Sequence, residues 1–410
     1  MAATSSAART ACNETRAPLR KARAVIGALV LALVASCGGG VDSGGTGAPS
    51  TSFASGPITG FGSVVVNGVH FDDRSATVTD ADGNPRRRDD LRLGMTTDVR
   101  GSAIFVDGNG NNASTATSIV FASDILGPLA ANDTAARTMT VLGQTIDVSA
   151  STAFDASLAG GQAALSVGDI VEVYATYDAG SGRYSATRVE RKTTALAFRV
   201  RGVVASFDAA TKTFSIGTAR ISYAALGGGQ LPTGLGNGRL VRVTLAPAQV
   251  AGIWQATSAS DGVQAIENRE TVKIRDRISS FTSAQQFSVD GTVVDARAAS
   301  FPAGTAGLRL GARVEVQGAT VAGILIASTV TVISDGDDAN QSFELEGAVD
   351  GLDAAAQTFV IREVTVSYSG SVDFRNGSAA DLALGKSLEV RGMLSADGTR
   401  LQAARITFGN

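Results

Sequence analysis

Leu308–Gly318, LRLGARVEVQG, decides the fold. It returns as Leu382–Gly392, LALGKSLEVRG, and more loosely at Leu91–Gly101, Leu165–Ala175 and Leu235–Leu245. Its central glycines, Gly94, Gly168, Gly238, Gly311 and Gly385, are 74, 70, 73 and 74 residues apart. Each glycine ends an apolar segment at a tight turn, where Cβ-bearing residues resist positive φ. Then Val314 and Val316 alternate with Arg313, Glu315 and Gln317, as Leu388 and Val390 do with Ser387, Glu389 and Arg391. A period of two with charges on one side is a half-buried strand.

Outward from this turn, each copy shows the same order. A short apolar strand opens it: Gly56–Ile58, Gly127–Leu129, Gly202–Val204, Arg277–Ile278 and Gly347–Val349. A hairpin follows, marked by Asn67-Gly68 and Asp290-Gly291 in the first and fourth copies and by Gly143 and Gly217 in the second and third. The fifth copy has Arg362-Glu363 at this place, which predicts a wider loop. A last strand centres on Ala116, Ala186, Ala256, Ala327 or Ala403. Five short strands per copy predict a small barrel or rolled sheet, because closure removes exposed edges.

The boundaries predicted are 56–125, 126–195, 196–268, 269–336 and 337–410. The junction Thr193–Ala197 has no spacer composition, whereas Ser334–Ser342 reads as a hinge. Modules strung in line would make an elongated array, stiff through the fourth copy. Gly311 is expected to hold positive φ.

The pattern resembles a family of tandem small β-domains of unknown function found in repeated copies in proteobacterial lipoproteins. Val66–Val69, Leu310–Val316 and Ala327–Val330 carry the resemblance, which covers about residues 56–409. It implies all-β architecture, five tandem five-stranded OB-like barrels or rolled sheets. It brings no activity and no catalytic residues.

Residues 1–36 read as a lipoprotein signal peptide. Arg16, Arg20, Lys21 and Arg23 precede the apolar run Ala24–Val34, which is too short to span a bilayer as a stable helix. The run ends Val34-Ala35-Ser36-Cys37, which resembles the site where lipoproteins are cleaved and acylated, so Cys37 is the lipidation candidate. Gly38 rather than aspartate after it resembles the signal for the outer membrane. Residues 37–55, rich in Gly, Ser and Thr, read as a flexible tether. Loss of Cys12 with the signal leaves no cysteine for a disulfide. Removal of the basic segment leaves the chain, already net −3, more acidic, which argues against nucleic acid as the main partner.

Chemistry is sparse. His70 is the one histidine, set in a strand after Asn67-Gly68, and no P-loop, Gly-x-Ser-x-Gly or His-Glu-x-x-His motif occurs. Asp107–Asn112 begins like a calcium loop but has Ser118 where the twelfth-position glutamate belongs, and Asp335–Asn340 is a second acidic cluster. Both read as solvated turns, so no metal and no cofactor is expected. Trp254 is the one tryptophan; equivalent places hold Ser114, Tyr184, Leu325 and Leu401, so packing comes before ligand stacking. The third copy is basic, with Arg220, Arg239 and Arg242 the candidates for an anionic glycan. The reading is a lipid-anchored envelope protein, a non-enzymatic structural, adhesion or interaction scaffold with an envelope protein or glycan partner. The alternatives are a carbohydrate- or solute-binding lipoprotein using the third copy and a carboxylate-dependent hydrolase.

Overall fold

The computed structural model describes residues 51–334 and 340–409, all-β with short 3-10 turns and no α-helix among them. The signal segment, Cys37 and most of the tether lie outside the described residues, as does the centre of the expected hinge, 335–339.

One circuit of pairings makes each small barrel-like sheet. In the second copy, Ile125–Asp133 pairs with Thr138–Val141, which pairs with Gln144–Phe154. That strand runs parallel to Arg183–Lys192, which pairs with Ile170–Asp178, which returns to Ile125–Asp133. The strands of the other copies repeat this order: first, second, third, fifth, fourth and back to the first. The alternation read from Leu308–Gly318 is present: Val314 and Val316 are fully buried and Arg313 and Glu315 are not. The five turn glycines have φ of +81, +97, +83, +79 and +77°, the left-handed region that favours glycine.

Buried apolar residues form three clusters rather than five. One joins the first and last copies, one joins the second and third, and the fourth copy centres its own. The in-line array is therefore corrected: Pro49–Asn410 is one compact unit. Copies far apart in sequence pair strand to strand. Ser52–Ser55 runs parallel to Thr271–Ile274, and Gly60-Phe61 runs parallel to Glu344-Leu345. The end of the expected tether is corrected with it. Thr51–Ser55 is strand, because Phe53 and Ala54 are buried there and the segment also pairs with Asp98–Ser102.

Hairpin turns fasten the copies together. Asn67 Nδ2 donates to Lys273 O in the fourth copy at 3.1 Å. Gln144 Nε2 donates to Ile216 O in the third at 2.6 Å, and Thr218 Oγ1 returns a bond to Gly143 O at 3.0 Å. Glu363 accepts from Arg92 in the first at 2.5 Å. The wider loop expected at Arg362-Glu363 is also corrected. Ile361 pairs with Val364 across a two-residue turn, with φ of +50 and +63° at Arg362 and Glu363. Side chains this large strain there, by about 1–2 kcal/mol per residue. Arg362 offsets the strain by setting its guanidinium 5.0 Å from the centre of the Phe61 ring.

Candidate functional site at the junction of four copies

Opening strands bring charged side chains to a place where four copies meet. Asp124 immediately precedes Ile125–Asp133, Arg201 lies within Phe198–Asp208, and Asp276 lies within Arg269–Ser283. Asp98 comes from Thr96–Ser102 and Asp290 from the fourth hairpin turn. Together with Arg242 they line a cavity of about 390 Å³.

Arg201 is the hub. Its Nε donates to Gly262 O at 2.6 Å, its Nη2 to Asp290 Oδ1 at 2.7 Å and its Nη1 to Asp124 Oδ1 at 3.3 Å. Its backbone N–H donates to Asp124 O at 2.7 Å. Asp124 Oδ2 also accepts from the Ala175 N–H at 3.1 Å. Arg242 stands directly across the strand pair from Arg201 and donates to Ser123 O at 2.7 Å. Like charges opposite each other repel, and the aspartates offset this.

Burial sets the protonation of the cluster. Desolvation raises the carboxyl of Asp124 above its ordinary range, against the pull of Arg201 and Arg242. It raises Asp98 likewise, against a hydrogen bond from Ser55. Asp276 is pushed up furthest, by burial first and then by the charge of Asp290. Arg242 falls to about 10 through burial, which Asp124 opposes. Burial also works against charge on Arg201, but Asp290 and Asp124 outweigh it and hold it firmly cationic. The lining offers carboxylates, guanidinium groups and hydroxyls, with no histidine or cysteine. Chemically it can hold a group rich in hydrogen-bond donors, or it can weld copies together.

The sequence-predicted residues scatter. Of Arg220, Arg239, Arg242 and Trp254, Arg242 alone lines this cavity. Arg239 pairs with Asp261 at the rim, and Arg220 is exposed on a strand facing away from the core. Trp254 is buried and meets Phe198 edge-on, ring centres 5.7 Å apart. His70 lies half-buried on Val69–Asp72 and lines a separate cavity with Glu344, Glu346, Glu389 and Arg391. Burial raises the Glu344 carboxyl there. Asp107 Oδ1 accepts from the N–H groups of Asn109 and Asn111, both at 2.8 Å, which closes the loop on itself. Among the described residues, no group of three or more His, Cys, Asp or Glu side chains is placed to hold a metal ion. Asp335–Asn340 lies mostly outside the described residues.

Asp98, Asp124, Arg201, Asp276 and Asp290 were not singled out from sequence. The signal was slight: Asp124 stands directly before Ile125-Leu126 and Arg201 between Val200 and Gly202-Val203, while Asp276, between Arg275 and Arg277, looks like one more charge on a polar strand face. A charge in that setting needs a buried partner.

Three regions, residues 127–190, 277–331 and 346–407, match a family model described as a domain of unknown function (DUF5666). They fall on the second, fourth and fifth copies. No curated protein matches the chain.

Proposed function

We propose that the chain is a lipid-anchored cell-envelope protein whose five OB-like β-domains form a non-enzymatic interaction scaffold. Residues 1–36 act as its signal peptide, Cys37 carries the lipid, and the outer membrane is its address. One observation supports the scaffold reading most: the charged groups at the junction are spent on fastening copies to each other. Arg201 alone ties a carboxylate at the junction of the first and second copies, a carboxylate of the fourth and a carbonyl at the end of the third. Repeats joined so firmly present a fixed outer surface, the property a scaffold needs.

The test is metabolic labelling with a fatty acid, followed by membrane fractionation, of wild type and Cys37→Ser. Wild type should carry label in the outer-membrane fraction, and Cys37→Ser should carry none and be released. Identical fractionation with no label on either would sink the anchor. Turnover on a panel of glycans and esters would sink the non-enzymatic part.

A second reading, binding of a small polar solute, is favoured by the cavity beside Arg242. Saturable solute binding that Asp276→Asn abolishes without loss of fold would place it first.

A further inference from the structure

The fourth copy differs from the other four on one outer face. On the hairpin Arg313–Val321 and Ile324–Val332, Thr320 and Leu325 point inward and are buried. Their neighbours point outward: Val321 is 56% exposed, Ile324 39% and Ile326 40%. Val321 and Ile324 are directly paired. Val293 lies beside them, since Val294 pairs with Leu325 in the adjacent parallel strand, and it is 45% exposed.

The recurring alanine and the matching parallel pairs align this face with the other copies. At the place of Ile326 they have Thr115, Ser185, Gln255 and Gln402. At the place of Ile324 they have Ala113, Arg183, Ile253 and Arg400. At the place of Val293 they have His70, Arg220, Thr365 and Thr145. At the places of Ile326 and Val293 the other copies carry polar groups, and the fourth copy alone is apolar there as well as at the hairpin tip, where the first and third copies also expose Phe105 and Val250. No folding need of the barrel accounts for that, because the other copies close without it.

The face also has a position. The described chain enters at Thr51, on the strand that runs parallel to Arg269–Ser283 with Ser52 opposite Thr271. Two residues back along that neighbour, Arg269 is opposite Thr320, at the turn end of the apolar hairpin. The described chain therefore begins beside this face. Residues 38–50 reach at most about 45 Å when extended.

We propose that the outer face of this hairpin, Val293, Val321, Ile324 and Ile326, docks on the lipid surface to which the chain is anchored. The inference rests on the lipid-anchor reading above. Two observations favour a lipid surface over a second copy of the chain. Four side chains that are 39–56% exposed present far less than the roughly 800 Å² per partner that a stable dimer buries. The charges beside it are already matched, Arg297 with Asp295 and Arg269 with Glu267, so nothing is set out for a complementary protein patch. Shallow apolar insertion supported by a covalent anchor needs only modest area, since either signal alone holds weakly.

Residues 49–410 hold all the strand pairings and all three cores among the described residues, so they can be tested without the anchor. The experiment is flotation of this fragment with vesicles of phosphatidylethanolamine and phosphatidylglycerol. The fragment should float weakly and in a salt-insensitive way. The triple variant Val321→Ser, Ile324→Ser, Ile326→Thr should float at least roughly tenfold less, with an unchanged melting midpoint because the three positions are exposed. A fragment that does not float, or a triple variant that floats equally, overturns the proposal. Sedimentation showing a dimer that the triple variant dissolves, without flotation, overturns it in favour of a second copy. Cys37 is absent from the fragment, so this result and the fatty-acid labelling of Cys37 can fail independently.

Discussion

The second and third copies adjoin in sequence, and the first and fifth stand at opposite ends of the described chain, yet each pair shares one apolar core. The joints are made differently. Between the second and third copies, the opening strands pair antiparallel at Ile125-Leu126 and Arg199-Val200, and the amide of Gln144 enters the neighbouring hairpin. Backbone pairing and a buried side-chain amide fasten this joint. Between the first and fifth copies, Gly60-Phe61 runs parallel to Glu344-Leu345, and the backbones meet so closely that a Cβ on Gly60 would stand 2.7 Å from Glu344 O. There the missing side chain does the fastening. A joint between adjacent copies forms at small loop-closure cost. One that closes a loop of nearly three hundred residues costs more entropy and depends on backbone pairing at close range.

The junction around Arg201 is a third tie between copies. Arg201→Leu leaves Asp124 and Asp290 facing a buried site with their shared cation gone. Unfolding in denaturant should show a loss of about 3–5 kcal/mol. A loss below about 1 kcal/mol would mean that the copies hold together by apolar packing alone.

The two joints can then be broken one at a time. Gly60→Val should cost roughly 2–3 kcal/mol by overpacking against Glu344 and Val65. Hydrogen exchange should quicken in Phe343–Ala348 and stay slow in Phe198–Asp208. Gln144→Ala, which removes a buried amide bonded to Leu142 O and Ile216 O, should cost about 1–2 kcal/mol and reverse that exchange pattern. Equal quickening at both joints in either variant would show one cooperative unit instead of two separable joints.

The smallest effect concerns pH. Asp276, Asp124 and Asp98 have carboxyls raised by burial, so the folded chain holds protons that the unfolded chain releases. Their contribution is fully present below the ordinary value of 3.8 and is lost as pH rises through the raised values. Stability should therefore fall as pH rises above 3.8 through the raised values. Asp72 and Asp295, lowered to about 2 mainly by hydrogen bonds from Arg74 and Arg297, act in the opposite sense and matter only as pH drops below 3.8 toward 2. Asp276→Asn should flatten that decline, with its stabilising effect growing as pH rises. An unchanged slope in thermal melts across that range would show that Asp276 is ionised at no cost.

The sequence by itself determined the repeat, the succession of strands along each copy and the place of each turn glycine. These are local matters: a period of two puts Val314 and Val316 inside, and a turn that needs φ near +80° selects Gly311. Two local expectations failed through contacts from elsewhere: the tether at Thr51–Ser55, which pairs with Asp98–Ser102, and the loop at Arg362-Glu363, where the Phe61 ring of another copy offsets the strain of the tight turn. Tertiary structure alone decided which copy meets which. No spacing in the chain marks Ser52 for Thr271 or Gly60 for Glu344, because backbone pairing has little sequence code and the selecting features are small: a glycine, one asparagine, a charge inside an apolar strand. The candidate site belongs to that second class. Asp98, Asp124, Arg201, Asp276 and Asp290 lie in different copies, and only the three-dimensional arrangement of those copies makes them neighbours.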